Sequence, residues 1–140
     1  NKMKSNYKAM VLSCIDPRFQ PIVYNHLKKK KLNGKYSAFT IAGAALGVTA
    51  AKFKTWHKTF WDNIDTSIRL HKIKKLIVIN HSDCAVAKII NGKKIFSKLN
   101  EKKIHKESFK KIKKKFKKKY PKLYIELNFI SLNKKILTYK

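Results

Sequence analysis

The chain has 140 residues, of which 35 are Lys or Arg and 7 are Asp or Glu, so its formal charge is +28. Apolar residues make up 44% of the chain, which excludes global disorder. No apolar run approaches the ~20 residues needed to cross a bilayer, which excludes an integral membrane protein. We expect residues 1–140 to form one basic, cytoplasmic domain, and the start at Asn1 leaves removal of a leader open.

The positive charge is carried almost entirely by lysine, since arginine occurs only at Arg18 and Arg69. Proteins that read nucleic acids commonly use the bidentate guanidinium of arginine, whereas lysine also serves simply as a solvated surface residue. The composition therefore favours a solvated basic surface. Binding of nucleic acid or another polyanion remains an alternative, with residues 110–119 as its contact stripe.

Apolar runs and helical spacing alternate along the chain. Short apolar runs predict strands at residues 7–13, 36–41, 75–80, 123–132 and 136–139. Helical spacing predicts four helices. The first runs from Pro21 to the lysines at 28–31, and the second runs from Phe53 through Trp56 and Phe60 to Ile68. The third runs from Ala85 to about Asn91, and the fourth covers residues 101–119. This alternation predicts an α/β fold in a single domain, with a mostly parallel central β-sheet flanked by helices.

Candidate metal ligands follow two of the predicted strands. Cys14 comes directly after the first strand, and His81 and Cys84 come after the third. Sites in open parallel sheets collect outside the carboxyl ends of the strands. Two thiolates and one imidazole are ligands that suit zinc and leave its fourth position for water or another ligand.

The motifs at these strand ends resemble those of the β-class carbonic anhydrases. The matching stretches are Cys14-Ile15-Asp16-Pro17-Arg18, Ala42-Gly43 and His81-Ser82-Asp83-Cys84. Together they follow the family pattern Cys-x-Asp-x-Arg and then His-x-x-Cys, in the family's order and approximate spacing, over most of the chain.

The resemblance implies one zinc ion per chain, with Cys14, His81 and Cys84 as ligands. It also implies that Asp16 and Arg18 form the family's catalytic dyad, and that Asp16 occupies the fourth zinc position in an inactive state. The implied activity is the reversible hydration of carbon dioxide to bicarbonate and a proton by zinc-bound hydroxide. Family members complete their sites across subunits, so a homodimer or higher homo-oligomer is expected.

Other interpretations of the same residues stay open. Hydrolysis of carbon disulfide or carbonyl sulfide would use the same chemistry, and a non-catalytic zinc protein that binds polyanions is a further alternative. The two cysteines could instead be apolar core residues or form one disulfide bond. Ser82 and Asp83 are interpreted as turn formers. The remaining histidines lack such a context: His26, His57, His71 and His105. His57 and His71 are interpreted as structural or exposed. A proton shuttle by His26 or another of these residues stays open, because nothing in the sequence selects one.

Overall fold

The computed structural model describes residues 6–139, so residues 1–5 and 140 of the predicted domain lie outside the described part. Its strands are Ala9–Ser13 (β1), Tyr36–Thr40 (β2), Lys75–His81 (β3), Tyr124–Ile130 (β4) and Ile136–Tyr139 (β5). Its α-helices are Gln20–Lys29 (α1), Ala45–Thr49 (α2), Lys54–His71 (α3), Ala85–Asn91 (α4) and Lys98–Lys119 (α5). A 3-10 turn at Ala51–Phe53 precedes α3.

The strands form one sheet in the order β2-β1-β3-β4-β5. The pairs β1–β2, β1–β3 and β3–β4 are parallel, and only β5 runs antiparallel to its neighbour β4. The predicted α/β fold with a mostly parallel sheet is therefore confirmed. Since β1 and β3 are adjacent, with Ser13 opposite Ile79, their carboxyl ends open at the same edge.

Apolar side chains cover both faces of the sheet because neighbouring strand residues point in opposite directions. Met10 and Leu12 of β1 face a large core that includes Phe60, Ile64 and other residues of the longer helices. The intervening side chains of β1 and β3 pack with Phe19, Val23 and Leu27, which cover the other face. Burial on both faces explains the nearly continuous apolar sequences of β1 and β3.

Two details differ from the sequence prediction. The sequence did not predict the short helix α2 after β2, because five residues are too few for helical periodicity to be detected. Helix α5 begins at Lys98 rather than Glu101, because the Ser97 side chain accepts a hydrogen bond from the Asn100 amide at 3.0 Å. As a result, Glu101 lies inside the first turns of α5 and faces the core.

The outer face of α5 carries the predicted lysine stripe at residues 110–119. The ammonium groups of Lys115 and Lys119 lie 5.0 and 5.7 Å from the centroid of the Trp61 ring. The other side of the helix buries Ile112 and Phe116. None of the described helices combines the length and the apolar character that crossing a membrane requires.

Candidate metal centre

The ends of β1 and β3 bring the three predicted metal ligands together. Cys14 follows β1, His81 is the last residue of β3, and Cys84 immediately precedes α4. One ligand atom from each residue lies within 4.8 Å of the others, and all three residues are buried. Both cysteines are free, so the alternative of a disulfide bond between them is not observed.

The imidazole of His81 is oriented as a metal ligand requires. Its Nδ1 donates to the Ser82 carbonyl oxygen at 2.7 Å, so the neutral ring presents an unprotonated Nε2 on its other side. The ring stacks on Phe19 with a centroid distance of 4.0 Å. Nε2 is buried and has no hydrogen-bond partner among the described residues. A buried lone pair of this kind is costly unless something binds it, so the donor set fits a metal.

The two thiol groups differ in acidity. A hydrogen bond from the Cys84 thiol lowers the pKa of Cys14, and the same interaction raises the pKa of Cys84. The Cys14 Sγ also accepts a hydrogen bond from the Gly43 amide at 3.3 Å. Cys14 is therefore the first of the two to be a thiolate, and coordination by both sulfurs requires the release of a further proton.

Asp16 lies beside the cluster and is held by Arg18. The Arg18 Nη2 donates to Asp16 Oδ2 at 2.8 Å, and its Nε lies 3.2 Å from Oδ1. The hydrogen bonds from the Arg18 side chain lower the pKa of Asp16. The Arg18 amide also donates to Oδ1, closing an Asx turn that fixes the loop after β1. Asp16 Oδ2 lies 3.8 Å from His81 Nε2, so the carboxylate is adjacent to the three ligands without joining their cluster.

Asp83 has a second role besides the turn that was predicted. It adopts the left-handed conformation with φ of 56°, as a turn former does. Its Oδ2 accepts a hydrogen bond from Arg18 Nη1 at 3.0 Å, and its carbonyl oxygen accepts one from Nη2 at 3.0 Å. The guanidinium of Arg18 is thus shared between two carboxylates, one from each strand end.

A buried polar network on α5 supports this turn, and sequence reasoning missed it. Glu101 accepts hydrogen bonds from the amides of Asp83 and Cys84, both at 2.9 Å, and lies 3.0 Å from His105 Nε2. Asn80 Nδ2 donates to His105 Nδ1 at 2.9 Å, and Asn80 Oδ1 accepts from the Ala45 amide. His105 therefore carries its proton on Nε2 and donates to Glu101. Glu101 and His105 are four residues apart, and side chains at this spacing are neighbours on a helix. This spacing is the sequence signal that could have identified the pair.

The remaining histidines lie outside the cluster. His71 Nδ1 lies 3.0 Å from the Ser37 hydroxyl, which agrees with a structural role. His26 and His57 are half-buried, and burial lowers the pKa of each. His105, which the sequence did not single out, contacts Glu101, whose carboxylate binds the amides of Asp83 and Cys84 beside the cluster.

The mostly parallel sheet and the Cys14, His81 and Cys84 cluster at its edge agree with the resemblance to the β-class carbonic anhydrases. A family model described as "Putative carbonic anhydrase" matches residues 3–137. The chain therefore belongs to this carbonic anhydrase family, and the resemblance noted in the sequence is confirmed.

Two curated relatives are uncharacterized proteins of Rickettsia. The chain is 29% identical over 107 residues to one from Rickettsia bellii (strain RML369-C), covering 76% of this chain and 65% of that protein. It is 28% identical over 102 residues to one from Rickettsia conorii, covering 73% of this chain and 53% of that protein. The chain thus spans less than two thirds of the length of either relative.

Several solved structures with the same fold are carbonic anhydrases. The enzyme from Glaciozyma antarctica matches with a TM-score of 0.59 and 16% identity, covering 98% of this chain and 84% of that one. The β-carbonic anhydrase CafA of Aspergillus fumigatus matches with a TM-score of 0.65 and 10% identity, covering 97% and 76%. Tetrameric β-carbonic anhydrases from Sordaria macrospora match with a TM-score of 0.61 and 11% identity, covering 96% and 81%. At these identities the likeness concerns the fold.

Gly43 provides a test of the packing around the cluster. Its φ is 81°, and a Cβ atom there would lie 2.7 Å from Val86 Cγ1. Gly34 has a similar φ of 74°, but no atom of the described residues lies within 4 Å of that position. We expect Gly34→Ala to cost about 1–2 kcal/mol for the left-handed backbone alone. Gly43→Ala should cost about 1–3 kcal/mol more, because the added methyl overpacks a buried contact. Urea unfolding of both variants measures the difference, and equal losses would contradict the close packing against Val86.

Proposed function

We propose that this protein catalyses the zinc-dependent, reversible hydration of carbon dioxide to bicarbonate and a proton. The observation that carries the proposal is the buried cluster of Cys14, His81 and Cys84, in which one ligand atom from each residue lies within 4.8 Å of the others and His81 Nε2 has no hydrogen-bond partner among the described residues. An aspartate fixed by arginine stands directly beside it. Membership of the carbonic anhydrase family supports this use of the site.

Cys14, His81 and Cys84 would hold the zinc. Three protein ligands of this kind leave one tetrahedral position for water or substrate, as in catalytic zinc sites. A zinc ion held by these residues would lower the pKa of a coordinated water far below the ~15.7 of bulk water, which would supply hydroxide as the nucleophile. The carbonyl oxygen of Ser82 fixes the His81 ring, and the Gly43 amide donates to the Cys14 sulfur, so two of the ligands are already oriented.

Asp16 would act as the hydrogen-bond acceptor that orients the attacking water. Arg18 holds its carboxylate at two points and lowers its pKa, so Asp16 stays ionised and accepts rather than donates. A planar guanidinium supplies both contacts, and a lysine ammonium cannot. If Arg18 moved away, Asp16 would be free to turn towards the metal position. In that inactive state, Asp16 would be the fourth ligand.

Zinc content tests the ligand assignment. We expect the isolated protein to contain about one zinc per chain, because three soft ligands converge at one point. Cys14→Ser and His81→Ala should each lose most of it, since each removes one of the three donors. His57→Ala, on α3 outside the cluster, is the matched control and should retain the metal. Elemental analysis that finds full zinc in both cluster variants would contradict the assignment.

The dyad is tested by replacing its arginine. Arg18→Lys keeps the charge but loses the two-point contact with Asp16, so we expect carbon dioxide hydration to fall by ~10²-fold or more with zinc content near normal. Asp16→Asn should behave similarly because an amide is a poorer acceptor. Arg69→Lys is the matched control, since Arg69 pairs with Asp65 along α3 and its side chain is exposed.

Stopped-flow measurement of hydration checks this expectation. A near-normal rate in Arg18→Lys with zinc in place would contradict the dyad. Parallel assays with carbonyl sulfide and carbon disulfide show which substrate the wild-type site prefers.

We further propose that the protein works as a homodimer or higher homo-oligomer. The Sordaria macrospora enzymes that share its fold are described as tetrameric. The exposed apolar side chains of Leu70, Ile95 and Tyr124, each more than 60% accessible, are consistent with contacts between copies. Light scattering should give a mass of at least two chains. An active species with the mass of a single chain would contradict the proposal.

A further inference from the structure

Glu101 is a buried carboxylate whose position is not explained by packing alone. Its side chain is within the first turns of α5, and the residue is only 6% exposed. A buried charge is retained only where its oxygens are hydrogen-bonded. Both oxygens of Glu101 are used: Oε1 accepts from the Asp83 amide, and Oε2 accepts from the Cys84 amide and from His105. One carboxylate therefore holds two consecutive backbone amides, here called the 83–84 turn.

The 83–84 turn needs such an acceptor. Asp83 has φ of 56°, a conformation that side chains with a Cβ adopt at a cost. This conformation directs the amides of Asp83 and Cys84 to the same side, where a single anion can bind both. Without the carboxylate, two buried or half-buried amides would lose their partner.

The groups that this turn presents on its other side belong to the metal centre. The Sγ of Cys84 is one of the three clustered ligand atoms. The carboxylate and carbonyl oxygens of Asp83 both bind Arg18, which in turn holds Asp16. A small rotation of the 83–84 turn would therefore displace one ligand and loosen the arginine of the dyad together.

Glu101 is itself fixed from behind. His105 Nε2 donates to Oε2, and His105 Nδ1 accepts from Asn80, which precedes His81 in β3. The chain of hydrogen bonds runs from the end of β3 through α5 and back to the turn after β3. This closed path gives the carboxylate one orientation.

We propose that Glu101 is a positioning residue of the metal centre: it holds the 83–84 turn so that Cys84 faces the metal and Asp83 faces Arg18. The inference rests on the proposed function only in that the cluster binds zinc. It does not depend on which substrate the zinc site converts.

The experiment compares Glu101→Gln with Glu107→Gln. Glutamine keeps the size of the side chain, but its amide group cannot accept from one of the two backbone amides. Glu107 is on the same helix with its side chain exposed, so it controls for the loss of one negative charge. Zinc transfer to a chromogenic chelator gives the dissociation rate. Cobalt substitution gives the thiolate-to-cobalt absorption, which reports the sulfur ligands directly.

We expect Glu101→Gln to release zinc ~10–100-fold faster than wild type, the effect typical of removing a partner that orients a ligand. The thiolate-to-cobalt absorption should be weaker, and Glu107→Gln should match wild type in both measurements. Glu101→Asp, a milder change that withdraws the carboxylate by one methylene, should also release zinc faster; it provides the test if Glu101→Gln fails to fold.

A lowered melting temperature with unchanged zinc release and cobalt spectrum would show a merely structural role and overturn the proposal. Wild-type protein that binds no zinc would overturn it together with the proposed function. Wild-type protein that binds zinc but hydrates no carbon dioxide would contradict the proposed function alone. The comparison of zinc release between the variants does not depend on catalytic activity and would still test the role of Glu101.

Discussion

The parallel pairing of β1 with β3 is the constraint on which the site depends. It places Ser13 opposite Ile79, so that Cys14 and His81 leave the sheet at the same edge although 66 residues separate them in the sequence. Both strands are buried on both faces, so a shift in their register would expose apolar side chains on one side and misplace Cys14 and His81. The stability of the core and the geometry of the metal centre are therefore set by one interaction.

Much of this arrangement could be predicted because it follows from local patterns in the sequence. The apolar runs of β1 and β3 and the helical spacing of α3 and α5 identify the elements, and their alternation gives the parallel sheet. The polar residues directly after β1 and β3 then give Cys14, His81 and Cys84 as one site, since strand ends in such a sheet meet. The structure brings these three residues together.

The supporting contacts could not be predicted because they depend on distances that no local pattern records. Glu101 looks like one more charged residue in a lysine-rich helix, and only the Ser97 cap and the packing of α5 turn it inward. Asp83 looks like a turn former, and its contact with Arg18 depends on where β1 and β3 end relative to each other. Helix α2 is too short for its periodicity to be recognised.

The lysine face of α5 connects the ionic strength of the solution with the candidate metal centre. Lys110, Lys114 and Lys118 follow one another at intervals of four residues on the exposed side, and like charges at this spacing repel each other. Burial of Ile112 and Phe116 on the opposite side offsets that repulsion. Dissolved ions screen the lysine charges and weaken their mutual repulsion, which stabilises the helix. At low ionic strength the repulsion is stronger and the helix is less stable. Because the same helix carries Glu101, the ions around its exposed face bear on how firmly its buried face holds the 83–84 turn beside the cluster of Cys14, His81 and Cys84.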